Sequence, residues 1–379
     1  MTGGLVHYTA SPPLFGCTLQ ETEEDVLVVA APEREYRESM EPLRRYLRNP
    51  DSPKNPPPGM GPHPSLFVTA FREVFLLFCR KKAWTPSRGL TVSLQPSGNI
   101  SPESLAETAL PVASIRALAE LAGRQLLTTE VAFLAHLYRL EGSRPNRSWD
   151  DLIATSFARP GEVLPISARP DLCREPQPLP PSRICFGGCL ASMESLPDTL
   201  FQATRTATFL GKSILEEARQ QRWHHATDIP PNTLENYPSD REKITLKTQP
   251  PDAETLAREN CQIEHGRTYP ARAALRLAIE EEARAQKWQT LWERAPDSLE
   301  FGSLLRESDA AYAEVFPEWT SPWSNIGDIL QEMVEQNLLI GFRRAPFGPL
   351  MGSAVFLCEE RKSGKAIKTL QETDWIIWK

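Results

Sequence analysis

Proline constrains this chain more than any other residue. It has no backbone N–H, holds φ near −65° and pushes its predecessor out of the helical region. The 379 residues contain 35 prolines, well above the usual ~5%, and they are not spread evenly. Seven lie between residues 50 and 64 and seven more between 160 and 181. Neither stretch is expected to form helix or central strand. The first reads as a long loop and the second as a domain boundary. A third irregular stretch runs from Asp228 to Pro251, with proline pairs at both ends.

The prolines divide the chain into four segments. Residues 1–159 form a mixed N-terminal region with a helical block at 101–157, and 160–182 form a proline-rich linker. Residues 183–265 are a central helical and irregular region, and 266–379 an aromatic-rich C-terminal α+β domain. Six of the nine tryptophans lie beyond residue 287, at 288, 292, 319, 323, 375 and 378. Large aromatics bury much area each and mark a core there.

Periodicity fills in the elements. Glu24–Ala31 and Leu90–Leu94 read as strands, Tyr36–Arg48 as a short helix. From Ser65 to Lys82, Phe67, Phe71, Val74, Phe75 and Phe78 make a wide apolar helical face, with Arg80-Lys81-Lys82 as its solvated end. Helices follow from Ser101, from Pro111, over Thr128–Leu140 and over Trp149–Phe157. Ile184–Leu190 reads as a strand broken at its glycines. Leu196–Arg222 and Ala271–Ala295 read as long helices. The expected class is α+β, predominantly helical.

Ser324–Gln336 is an amphipathic helix with Ile326, Ile329, Leu330, Met333 and Val334 on one stripe. An apolar strand follows (Leu338–Arg344), then a Pro/Gly loop and a second strand (Ser353–Cys358). A turn at Arg361–Lys365 and a last strand, Ile367–Leu370, would complete it. Helix, strand, loop, strand resembles the second half of a winged-helix domain, with helices at 299–308 and 309–316 supplying the first half. The recognition helix of such a domain would carry Asp328, Glu332 and Glu335 and no cation, which repels phosphate. Nucleic acid would therefore be met by the basic hairpin: Arg343, Arg344, Arg361, Lys362, Lys365 and Lys368. Residues 280–335 hold thirteen acidic and four basic side chains, whereas 341–379 hold seven basic and four acidic.

The bulk numbers exclude other classes. Net charge is −7, too acidic for a generic nucleic-acid coat. No stretch approaches the ~20 apolar residues of a membrane span, and the start shows no secretory signal. Seven scattered cysteines point to reduced thiols in the cytoplasm. Cys185 and Cys189, with Cys261 and His265, carry equal three-residue spacings and form the zinc candidate; buried thiols explain them better. Glu280-Glu281-Glu282 reads as a solvated helix face, and Pro176–Pro181 as a stiff linker. There is no glycine-rich phosphate loop, GxSxG elbow, HExxH or protein-kinase motif set. No cofactor is expected. The role that follows is a non-enzymatic subunit or adaptor of an intracellular assembly, bound to protein partners. The alternatives are a nucleic-acid-associated protein and an enzyme whose catalytic residues are dispersed.

Overall fold

The chain folds as two compact units: Met1–Ala10 with Arg159–Lys379, and Ser11–Ala158. The computed structural model describes residues 5–9, 15–32, 34–48, 65–96, 102–141, 150–157, 159, 162–168, 171–173, 175–180, 182–190, 198–245, 261, 263–264, 266–295, 298–317, 324–345, 353–373 and 375–378. The proline-rich stretch 50–64 lies outside these residues.

The first strand, β1 (Leu5–Thr9), belongs to the larger unit. In the Ser11–Ala158 unit, β2 (Phe15–Thr22), β3 (Val26–Ala30), β4 (Glu35–Ser39) and β5 (Gly89–Pro96) form one sheet in the order β2-β5-β3-β4. β3 pairs parallel with β5, and the other pairs are antiparallel. β3 is apolar along its length because it is central: Leu27 and Val29 are fully buried and Val28 nearly so. Two helices make the crossover from β4 to β5, α1 (Met40–Arg48) and α2 (Leu66–Lys82). Residues 36–39, expected as the start of a helix, pair with β3 instead; Tyr36 and Glu38 alternate inward as a strand requires.

Phe71, Val74, Phe75 and Phe78 of α2 are fully buried. The helix stops at Ala83, whose backbone is left-handed (φ 48°, ψ 47°), and Trp84 donates its N–H to Cys79 O. Four helices complete the unit: α3 (Pro102–Glu107), α4 (Ala109–Leu121), α5 (Thr128–Glu141) and α6 (Asp150–Phe157). Arg139 of α5 is only 1% exposed and donates from Nε to Glu107 O at 2.9 Å, closing a helix end where a cation is favoured.

In the larger unit, the stretch expected as a linker carries strands. β6 (Glu162–Ala168) pairs with β1 on one side and with β7 (Asp171–Cys173) and β8 (Gln177–Pro178) on the other. Proline survives in this central strand because β8 pairing ends at Val163 and β7 pairing begins at Ile166. Pro165 lies in the gap, so a missing donor on that edge removes no ladder bond.

A second sheet has the order β12-β13-β9-β14, from β9 (Arg183–Leu190), β12 (Gly341–Ala345), β13 (Ser353–Glu359) and β14 (Trp375–Trp378). A short ribbon joins β10 (Ile244–Thr245) to β11 (Thr268–Tyr269). The helices are α7 (Asp198–Arg219), α8 (Ala271–Arg294), α9 (Glu300–Val315), α10 (Ser324–Glu335) and α11 (Ser363–Gln371). α7 crosses α8 closely, and Ile229 and Tyr237 from the irregular stretch 228–251 fill the core beside them.

This arrangement corrects the winged-helix expectation. The helix at 324–335 and the hairpin β12–β13 are present, but β13 pairs with β9 along seven residues, so it is an interior strand. Its sequence shows why: Ala354, Phe356, Cys358 and, on the opposite face, Leu357 are all buried, and a solvated wing would alternate. The expected turn at 361–365 and strand at 367–370 are helix. Ala366, Ile367 and Leu370 share one buried helical face there. A single helix, α9, replaces the two expected at 299–308 and 309–316.

One contact sets the position of α9. A Cβ on Gly302 would lie 2.0 Å from Ile340 O, and one on Gly341 2.4 Å from Gly302 Cα. Only glycine at both positions lets the helix rest on the edge of the sheet backbone to backbone. Gly302→Ala is expected to cost 3 kcal/mol or more, of the order of a severe core overpacking. Gly364→Ala, in α11 with nothing within 4 Å of its Cβ position, should instead gain about 0.5–1 kcal/mol. Denaturant unfolding of the two variants checks the contrast.

Candidate functional site

A connected set of largely buried charged groups follows from that contact. Asp309 lies seven residues after Gly302, two turns on along the same face of α9. Arg344 lies three residues after Gly341 on β12. The glycine contact therefore brings carboxylate and guanidinium together. Asp309 Oδ1 accepts from the Arg344 backbone N–H at 2.8 Å and from Nε at 3.0 Å, and Oδ2 accepts from Nη2 at 2.7 Å. Both side chains are nearly buried, Asp309 8% and Arg344 13% exposed. A Cβ on Gly327 of α10 would stand 3.2 Å from Arg344 Nη1, so the guanidinium is held between two helices. β12 is an edge strand. Asp309 caps one of its outward amides and α9 covers the edge, which blocks strand addition there.

Arg343 turns to a second set of partners. Its Nη2 is 3.3 Å from Glu281 Oε2, and its guanidinium lies 5.2 Å from the centre of the Tyr312 ring. Glu281 also accepts from Arg284 Nε and from Ser308 Oγ, both at 2.7 Å. Burial pushes the Tyr312 phenol up to about 12, against the opposing pull of Arg343. The network pairs Arg284, Arg343 and Arg344 with Glu281 and Asp309. Its chemical competence is to hold β12, α8 and α9 in register.

A smaller cluster sits in the Ser11–Ala158 unit. The Tyr36 hydroxyl donates to Glu38 Oε2 at 2.7 Å, Arg72 Nε is 3.3 Å from Glu38 Oε1, and the guanidinium lies 5.4 Å over the Tyr36 ring. Burial, with the Glu38 hydrogen bond and charge, pushes this phenol up to about 12. Desolvation raises the Cys17 thiol to about 11 and Cys79 further. Neither is a thiolate at neutral pH, so neither is an activated nucleophile.

The six cations assigned to a basic hairpin do not lie on one hairpin. Arg343 and Arg344 face α8 and α9. Arg361 and Lys362 pair with Glu359 at 2.6 and 3.2 Å, which holds that carboxyl below its usual range. Lys365 and Lys368 are exposed on α11, not on a wing. Of the zinc candidates, Cys185 packs beside Phe301, Ile340 and Leu357, and Cys261 is buried beside Tyr269. The Cys189 side chain and His265 lie outside the described residues. Among the described residues no three His, Cys, Asp or Glu side chains gather to hold a metal. The expected stiff linker at 176–181 is tied to the sheet, with Gln177 paired to Val163 and bonded to Gln289.

Sequence reasoning missed Asp309, Glu281, Ser308 and Tyr312. Glu281, read as part of a solvated face, is only 19% exposed at its side chain. The signal was the charge imbalance itself. The acidic excess of residues 280–335 and the basic excess beyond 341 are partly each other's partners.

No known protein family matches the sequence, and no curated protein matches it. Solved structures do match. Galactokinase of Lactococcus lactis, complexed with galactose, superposes with a TM-score of 0.68 at 12% identity, over 100% of this chain and 88% of its own. Mevalonate kinase of Methanococcus jannaschii gives 0.60 at 12%, over 99% and 90%. Phosphomevalonate kinase of Streptococcus pneumoniae gives 0.51 at 9%, over 100% and 92%. The fold is thus the mixed α/β fold of these kinases and not a winged helix. Neighbours that are small-molecule kinases overturn the adaptor reading, its protein partners and the nucleic-acid alternative. No helix among the described residues is long and apolar enough to cross a membrane.

Asp309→Asn should destabilise by about 3 kcal/mol, because it leaves a buried guanidinium without its counter-charge, while a paired Asp309→Leu, Arg344→Met variant should recover most of the loss. Chemical denaturation of the three proteins tests this. Alkaline stability has a definite sign. Tyr36 and Tyr312 are raised to about 12, above the ~10 of an unfolded phenol. Their contribution is therefore complete below pH 10 and is lost as pH rises towards 12. A spectrophotometric titration should show Tyr36 and Tyr312, together with the likewise raised Tyr237 and Tyr269, ionising above the range of an ordinary phenol.

Proposed function

We propose that this chain is a small-molecule phosphotransferase, moving a phosphoryl group from a nucleoside triphosphate to an alcohol of the sugar or mevalonate class. The observation that carries this reading is the likeness to galactokinase over the entire chain. Phosphoryl transfer depends on positioning and electrostatic stabilisation, with little covalent work for the protein. An enzyme of this kind needs no nucleophile and base pair. That accords with a sequence lacking a GxSxG elbow and HExxH, and with thiols at Cys17 and Cys79 that stay protonated.

The donor set bears on the metal such a reaction uses. Among the described residues no cluster of carboxylates or histidines stands ready as a cage. Magnesium is commonly held by one or two carboxylates together with substrate phosphates. A magnesium ion would on this reading come with the nucleotide. The sequence has no glycine-rich phosphate loop, so the phosphates must be held by groups that a motif does not name.

The test is direct. The purified full chain is incubated with MgATP and, separately, galactose, other hexoses, mevalonate and phosphomevalonate, and ADP release is followed. ADP formation that depends on one acceptor, at about 1–100 per second, is the expected result. Absence of acceptor-dependent ADP with every acceptor, and of any nucleotide-induced rise in melting temperature, would overturn the reading. A melting-temperature rise with an acceptor but no transfer would replace it with a ligand-binding protein of the same fold.

A further inference from the structure

We draw no further inference here: the strongest candidate, the apolar stripe of exposed Phe133 and Leu140 and half-buried Leu137 on α5 with Leu127 at its head, carries nothing, because nothing in the structure shows what covers it.

Discussion

Two missing side chains govern the C-terminal unit. Gly302 and Gly341 let α9 touch the edge of a sheet at backbone distance, closer than any Cβ permits. From that point the geometry is forced. Two helical turns along α9 stands Asp309, and three residues along β12 stands Arg344. The bidentate bond between them, shared with the Arg344 amide, ties helix to strand at a second point. Two fixed points define a line, so α9 cannot rotate or slide on the edge. Tyr312 and Ser308 are then placed to meet Arg343 and Glu281, which brings in α8. Burial of these charges is tolerable because each has an opposite partner; removing one partner leaves the other exposed to the full desolvation penalty.

The network is a brace, and its chemistry argues against the role its arginines suggested. Arg343 and Arg344 look like cations offered to an anionic partner. Folded, they are neutralised by Glu281 and Asp309, 62 and 35 residues earlier in the chain. The solved structures that share this fold are named as sugar and mevalonate kinases, and phosphoryl transfer is a reaction in which a protein mainly positions its substrates. That chemistry leaves few marks in a sequence, since it asks for no particular nucleophile, triad or metal-ligand spacing. A chain at 12% identity to its structural neighbours can keep the scaffold after local motifs have diverged beyond recognition.

Legibility followed the range of the interactions. α2 was plain, because five residues, Phe67, Phe71, Val74, Phe75 and Phe78, mark its buried face by helical spacing alone, and every one is nearly or fully buried. The helices at 198–219 and 271–294 were equally visible. Strand pairing was not. β12 and β13 were read as the hairpin of a winged helix because they are adjacent, yet β13 pairs with β9 from some 170 residues earlier and β14 closes the sheet beyond it. Pro165 was taken to exclude a central strand. It is accommodated because the two partners on that edge leave it a gap, a fact of register that composition does not carry. α11 was misread through Gly364, which suggested a turn although the buried spacing of Ala366, Ile367 and Leu370 is helical.

Taken alone, then, the amino-acid order determined where helices can run and where proline forbids them. It also determined that acidic and basic residues concentrate in separate C-terminal stretches. These are local properties, set by sterics, hydrophobic spacing and counting. The tertiary structure decided which strand lies beside which, that the two charge concentrations meet, and that the whole is a kinase-like α/β fold. The physical reason is that pairing partners and buried counter-charges are chosen by backbone contacts across long loops, here by the approach of two glycines, and no window of sequence contains both sides of such a contact.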